Sequence, residues 1–386
     1  VPKAYKLQIK NNDLLQGINS FFQSLLQEKI VDALLLPQET NSRKSILSTL
    51  VKDKEQITSA NPFVPFLLLN SASLLVKLSK GKTREKIGAV LRSCEIRAAV
   101  ELIKLKQINP ENLILIGVDC LGTYEPAVFK ELAQNFSDTA ELTRQYLSDA
   151  ARALPNQLGG KELRLACQTC EYPNPANADI TINFIGCDTT REIIIQCSEK
   201  FNAVDWSKLG LTPAEDISSW KNASKTCLDT RLQSRDKLFQ QVAEQTKNLE
   251  GFLKDLENCR HCNNCRKECP ICYCQECIFD SRIFEHEHDQ YIKWAERKGK
   301  VRIPTDTLLF HLTRMNHMAV SCVGCGQCTS ACPNGLPIAK YFKTIGFKVQ
   351  EVFGYQAGRS LEEEVPQSTF KEDEFPHVGE PDKKPH

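Results

Sequence analysis

Long apolar runs are missing from this 386-residue chain. None approaches the roughly 18 apolar residues that a membrane-crossing helix needs, and mean hydropathy is −0.34. A transmembrane helix is therefore not expected. Charge of one sign is missing too: 49 Lys and Arg stand against 48 Asp and Glu, for a formal net charge of +1. No nucleic-acid partner is expected from such a balance. Methionine (2) and tryptophan (3) are scarce, so neither marks a site. No G-x-G-x-x-G follows a predicted strand; the nearest run, Gly324-Cys325-Gly326, sits among cysteines. A conventional Rossmann pyrophosphate site is thus unsupported, which weakens the reading as an ordinary NAD dehydrogenase. The first residues, Val1-Pro2-Lys3-Ala4-Tyr5-Lys6, show no apolar signal core and no twin arginine.

What is abundant is cysteine, with 18 residues. Secreted disulfide scaffolds are short, whereas a long chain with clustered C-x2-C runs and no signal fits a reducing cytoplasm. Cys259, Cys262, Cys265 and Cys269 precede Pro270, and Cys322, Cys325, Cys328 and Cys332 precede Pro333. This is C-x2-C-x2-C-x3-C-P twice, the bacterial ferredoxin spacing for two 4Fe–4S clusters. Two-residue gaps let three sulfurs from one loop reach a cube, and the fourth completes the neighbouring cluster. One cluster is therefore expected on Cys259, Cys262, Cys265 and Cys332, the other on Cys322, Cys325, Cys328 and Cys269. Zinc more often takes paired C-x2-C units without the third cysteine and trailing Cys-Pro. Such clusters move single electrons.

Apolar periodicity sets the organisation. Leu14, Leu15, Ile18, Phe21, Phe22, Leu25 and Leu26 predict a helix over 11–29. Strands are predicted at 33–36 (ended by Pro37), 87–91, 113–118, 179–185 and 192–196, with helices over 64–79, 95–106 and 126–154. Alternating strands and helices predict an α/β layer with a mostly parallel sheet. Residues 206–258 read as a helical connector leading into Cys259. The insert at 270–321 is longer than a compact ferredoxin needs, and periodic stretches near 281–298 and 306–320 predict an all-helical dicluster domain over 259–357. The tail, 358–386, is acidic and poor in apolar residues, so it has no core of its own.

A second constellation lies in the first domain, 1–205. Cys94 follows the 87–91 strand and Cys120 follows the 113–118 strand. Ligands of open α/β sheets gather outside the carboxyl ends of strands, so both cysteines belong on one edge. Cys167-Gln168-Thr169-Cys170 adds a pair that would close a four-thiolate site. A third 4Fe–4S cluster on Cys94, Cys120, Cys167 and Cys170 is one reading; ordinary buried thiols are the other.

At these residues the chain resembles the beta subunits of coenzyme F420-dependent hydrogenases and formate dehydrogenases. Cys94-Glu95-Ile96-Arg97, Gly117-Val118-Asp119-Cys120, and Cys167 to Cys170 followed by Ala178-Asp179-Ile180 carry the likeness. Cys269-Pro270-Ile271-Cys272-Tyr273-Cys274 resembles the formate dehydrogenase branch, which adds a dicluster module. The resemblance implies an N-terminal α/β flavin domain with FAD beside the third cluster and hydride exchange with the deazaflavin. It further implies electron passage to a formate dehydrogenase, hydrogenase or heterodisulfide reductase partner, as one subunit of a larger redox complex. One departure concerns the carrier: where the hydrogenase branch has a Gly- and Thr-rich segment, this chain has Gly17-Ile18-Asn19-Ser20, and Arg92-Ser93 leads into Cys94. Candidates to hold FAD are Gly17, Asn19, Lys77, Arg92, Ser93, Arg97, Gly122 and Thr123, with the helix starting near Glu95 offering free N–H groups to an anion. Two alternatives stand beside this: an NAD(P)-linked iron–sulfur flavoprotein, and an electron-relay adaptor without its own substrate site. Of the six remaining cysteines, Cys187, Cys197 and Cys227 are isolated and read as structural. Cys272, Cys274 and Cys277 are dense and are candidates for a further cluster or a zinc, with His286 and His288 nearby.

Overall fold

The computed structural model describes residues 2–40, 44–80, 84–154, 157–282, 287–298 and 305–369. His286 and the tail from 370 onward lie outside them. Eight strands form one sheet: β1 (Lys3–Gln8), β2 (Ala33–Glu39), β3 (Ile46–Val51), β4 (Ile87–Arg92), β5 (Leu113–Val118), β6 (Ile180–Asn183), β7 (Glu192–Cys197) and β8 (Leu211–Pro213), in the order β3-β2-β4-β5-β6-β7-β1-β8. The central run β2-β4-β5-β6 is parallel, and the outer pairings are antiparallel. The N-terminal α/β sheet domain is thus present, with its eighth strand past residue 205.

Strand periodicity divides the interior in two. Leu34, Leu36, Val90, Ile116 and Val118 join one core with Ile18, Phe21, Phe22 and Leu25 of the helix Leu14–Gln27. Leu35, Ala89, Leu91 and Leu115, pointing the other way, join a second core with Ile96, Val100 and Leu102 of the helix Ser93–Lys104. That second core continues into the cysteine-rich region through Leu238, Phe252, Phe310, Tyr341 and Phe342. The two regions therefore share hydrophobic packing.

Three expected elements differ. β2 runs through Pro37, because its parallel pairing with β4 stops at Leu35 and a missing N–H matters little at a ladder end. The helix expected over 64–79 begins only at Ala72. Pro65 disfavours helix before it, and the Asn70 side chain accepts from Ala72 N at 3.1 Å. The 126–154 stretch breaks into Pro126–Ala133, Thr139–Tyr146 and a short 3-10 turn, with Asp138 capping the second piece by accepting from Glu141 N at 2.8 Å. Past β8 the described elements are helices and 3-10 turns: Ser218–Gln245, Leu249–Leu256, Asn264–Lys267, Ile278–Asp280, His288–Lys298, Thr305–Met318, Gln327–Ser330, Ile338–Val352 and Pro366–Ser368.

A polar clasp ties the regions together. Arg97 Nη1 donates to the Val323 carbonyl at 3.0 Å; its Nε and Nη2 donate to the Ala357 carbonyl at 3.0 and 2.7 Å. Glu101 accepts from Tyr355 Oη at 2.6 Å and Gly358 N at 2.8 Å. Gly358 is left-handed (φ +75°), and a Cβ there would stand 2.5 Å from Arg97 Cβ.

Candidate metal centres

β4 and β5 are parallel neighbours with Arg92 opposite Val118, so the chain leaves both at one edge. Cys94 lies in the first turn of Ser93–Lys104, and Cys120 two residues beyond β5. Glu95 fixes that turn by accepting from Arg92 N at 2.9 Å and Ser71 N at 2.8 Å. The short helix Leu165–Gln168 presents Cys167, and Cys170 N closes a turn on the Cys167 carbonyl at 3.2 Å. Burial pushes the Cys94 thiol well up, and Glu95, Cys325, Cys120 and Cys170 add to the rise. Burial also raises Cys120; Arg92 and Arg231 oppose the rise, while Cys167 and Cys170 reinforce it. The four thiols thus share one electrostatic neighbourhood at the sheet edge. Arg231 Nη2 donates to the Cys120 carbonyl at 3.0 Å. Beside it, Asp119 accepts from Asn174, Trp220, Phe184 N and Ile185 N at 2.6–3.2 Å. Burial lifts its carboxyl to about 7 against those four donors.

The ferredoxin-type runs line two cavities. Cys269, Cys322, Cys325 and Cys328 surround one, with Arg314, Met318 and Phe342. Cys259, Cys262, Cys265 and Cys332 surround the other, with Phe310 and His311. Each cavity is thus lined by three cysteines of one run and the last cysteine of the other. Burial pushes Cys322 to about 11 and Cys325 to about 12, with Cys269 adding to both. Cys265 rises to about 11 by burial; Arg314 opposes, and Cys259, Cys262 and Cys332 reinforce. Thiols held neutral by burial and by each other need cations to ionise, and metal binding releases their protons. Among the described residues no three His, Cys, Asp or Glu side chains are placed to hold a single metal ion. The thiol sets and their cavities fit the group.

The three sites follow one another. Cys94 feels Cys325, which joins the sheet-edge site to the middle one, around Cys322. Arg314 joins the middle site to the outer one, where Cys262 is exposed. Gly326, between Cys325 and Cys328, is left-handed (φ +78°), and a Cβ on it would lie 2.5 Å from Ala166 Cβ, beside Cys167. That close approach brings the first two sites together.

The flavin candidates do not gather. Asn19 pairs with the backbone of Ala60 in both directions, at 2.9 and 3.0 Å, and Gly17 packs on Ile9. Lys77 is exposed. Ser93 Oγ donates to the Asn174 carbonyl at 3.1 Å, and Arg97 belongs to the clasp. The Gly122 carbonyl accepts from Tyr146 Oη at 3.0 Å. Thr123 Oγ1 lies 3.4 Å from Cys167 Sγ and accepts from Arg164 Nη1 at 3.4 Å. Arg92 donates to the Pro62 and Val64 carbonyls and lines a cleft at the carboxyl ends of β2, β4 and β5 with Ser48, Phe66, Leu68, Ser71 and Glu95. This cleft is mostly apolar, and the eight candidates do not form one phosphate cradle.

Cys272, Cys274 and Cys277 form no single-ion group among the described residues. Cys187 and Cys197 are buried, and burial lifts both to about 12. Sequence periodicity held an unused signal. Arg231 falls on the buried stripe of Ser218–Gln245 with Cys227, Leu238 and Val242; His311 and Arg314 fall on the buried face of Thr305–Met318 with Phe310 and Met315. A charged residue at a core position of a helix marks a buried partner.

Residues 255–336 match the 4Fe-4S dicluster domain family. The F420-dependent formate dehydrogenase subunit beta of Methanocaldococcus jannaschii is 26% identical, over 92% of this chain and 96% of that protein. The F420-dependent formate dehydrogenase 1 subunit beta of Methanococcus maripaludis is 27% identical, over 91% and 92%. A solved chain of the xenon-derivatised F420-reducing [NiFe] hydrogenase complex from Methanosarcina barkeri superposes with TM-score 0.45 at 14% identity, covering 64% of this chain and 94% of that one; so loose a superposition assigns no fold. No helix of the described residues is long and apolar enough to cross a membrane. Along almost its whole length the chain is similar to these beta subunits of F420-dependent formate dehydrogenases, and with the dicluster domain at residues 255–336 this makes it an iron–sulfur oxidoreductase subunit.

Proposed function

We propose that this chain is the iron–sulfur flavoprotein subunit that passes electrons between a deazaflavin hydride carrier and a formate dehydrogenase-type partner, hydrogenase and heterodisulfide reductase being the other partner types. The observation that carries it is the succession of three four-thiol groups from sheet edge to surface. The proposed ligands are Cys94, Cys120, Cys167 and Cys170; then Cys322, Cys325, Cys328 and Cys269; then Cys259, Cys262, Cys265 and Cys332. The proposed division is an α/β domain (1–205), a helical connector (206–258), an all-helical dicluster domain (259–357) and an acidic tail (358–386). The 4Fe–4S clusters supply single-electron steps, and FAD at the cleft beside Arg92 supplies exchange between a hydride and single electrons.

The protein's own part is electrostatic and steric. Arg92, Arg164 and Arg231 set three buried guanidiniums around the sheet-edge thiols, favouring added negative charge there. His311 brings Nε2 to 3.5 Å from Cys259 Sγ. Burial, then Arg314, lowers its pKa to about 4, so it stays neutral near pH 7. Cys262, exposed at the outer site, faces the side where a partner subunit would dock.

An anaerobic titration of the purified chain tests this reading. Iron and sulfide content, flavin content and the visible spectrum are followed during addition of reduced deazaflavin, then NADH and NADPH. Bleaching by deazaflavin is expected. Bleaching by NAD(P)H alone would move the carrier to a nicotinamide. The scattering of the eight flavin candidates favours a second reading, a relay adaptor. Clusters reduced only by dithionite, with no flavin bound, would select it.

A further inference from the structure

Helix Thr305–Met318 carries Arg314 on its buried face, 3% exposed. Its Nη1 donates to Cys265 Sγ at 3.1 Å and its Nη2 to the Cys265 carbonyl at 2.9 Å. The same side chain lines the neighbouring cavity with Cys269, Cys322, Cys325 and Cys328. Phe310 and Phe342 flank it, with the guanidinium carbon 5.5 and 4.9 Å from their ring centroids. Arg314 Nε finds no acceptor among the described residues. The negative groups acting on the guanidinium are Cys265 of the outer cavity, Cys269 and Cys328 of the middle one, and Cys272 beyond both. A desolvated guanidinium without an anion is strongly unfavourable. Thiolates on either side would supply that anion.

We propose that Arg314 is a positioning residue that sets the reduction potentials of the two ferredoxin-type clusters, the outer more than the middle. The inference rests on the cluster reading above. N–H donation to a ligand sulfur and a fixed positive charge favour the reduced form, whose charge is more negative, and so raise the potential. The step affected is transfer of one electron between neighbouring clusters; no bond forms or breaks, and the guanidinium keeps its protons. Arg164 occupies the other junction. Its Nη2 donates to the Cys325 carbonyl at 3.1 Å, and its Nη1 reaches Thr123 Oγ1, which touches Cys167 Sγ.

The test is a redox titration of the whole protein followed by electron paramagnetic resonance. The outer signal is identified by its change in Cys262→Ser. In Arg314→Gln the outer cluster should become at least tenfold harder to reduce, about 59 mV for one electron. The middle cluster should shift less, and the sheet-edge cluster should not shift. Arg314→Lys, which keeps the charge and loses the fork, should shift the outer cluster by less. Arg164→Gln should move the sheet-edge and middle signals and leave the outer one. Unchanged potentials with full cluster content in Arg314→Gln would overturn the inference. If that variant loses a cluster, Arg314→Lys decides: a shifted outer potential supports the inference, while an unshifted one, or loss of the cluster there too, overturns it in favour of a purely structural role. A wild-type chain with no cluster signal would instead overturn the cluster reading itself, and this inference with it.

Discussion

At the middle site, three of the four proposed ligands lie between residues 322 and 328, and the fourth, Cys269, comes from the partner run. At the sheet edge, four thiols arrive from three segments: the first turn after β4, the loop after β5, and a short helix 47 positions beyond Cys120 (167 − 120). The first arrangement is held by local loop geometry. The second exists only because β4 and β5 pair in parallel with Arg92 beside Val118. The difference shows two ways to place a thiolate. One is a short spacing that any flanking structure can carry. The other is a topology that must be complete before the ligands meet.

The comparison can be broken most sharply at the sheet edge. Cys120→Ser should remove the signal of one cluster and about a third of the iron, leaving both ferredoxin-type signals, because the local loops do not depend on it; iron analysis with resonance spectra reads this. Loss of all three signals would mean that the sites assemble together. Next in size is the clasp. Arg97→Ala strands the Val323 and Ala357 carbonyls and should lower stability by on the order of 3 kcal/mol, read as a lower thermal midpoint with flavin content unchanged. A loss of flavin without loss of stability would return Arg97 to the cofactor. Smaller still is the junction between the two regions. Gly326→Ala sets a Cβ against Ala166 in a left-handed position, at about 1–3 kcal/mol, and should lower the thermal midpoint while iron content holds. Smallest is Lys77→Ala, an exposed side chain, which should stay within about 0.5 kcal/mol and leave flavin content unaltered.

The same contrast explains what was readable. β4 and β5 are continuous apolar runs, as buried parallel strands must be, and Leu14–Gln27 follows a helical repeat closely. β1 and β8 carry mixed residues and find partners far along the chain: β1 at Lys3–Gln8 pairs with β7 at Glu192–Cys197 and with β8 at Leu211–Pro213. Nothing local marks such pairing. Arg97 read as a phosphate ligand because it follows a strand and opens a helix; its partners at Val323 and Ala357 lie more than two hundred residues away. Asp179, in a segment that carries the family resemblance, serves the sheet: it accepts from Leu115 N at 2.9 Å and pairs with Lys200 at 2.7 Å.

By itself the sequence determined the chemistry available: two runs of thiols at cluster spacing, and an alternating α/β pattern with cysteines at strand ends. Spacing along a loop is covalent, so it survives any fold. Tertiary structure decided the order of the sites, because the closeness of Gly326 to Ala166 and the seat of Arg314 between two cavities depend on a core shared by both regions. It also decided which cations sit among thiols and which serve carbonyls. A buried charge takes its role from the groups that desolvate it, and those groups come together only when distant segments pack.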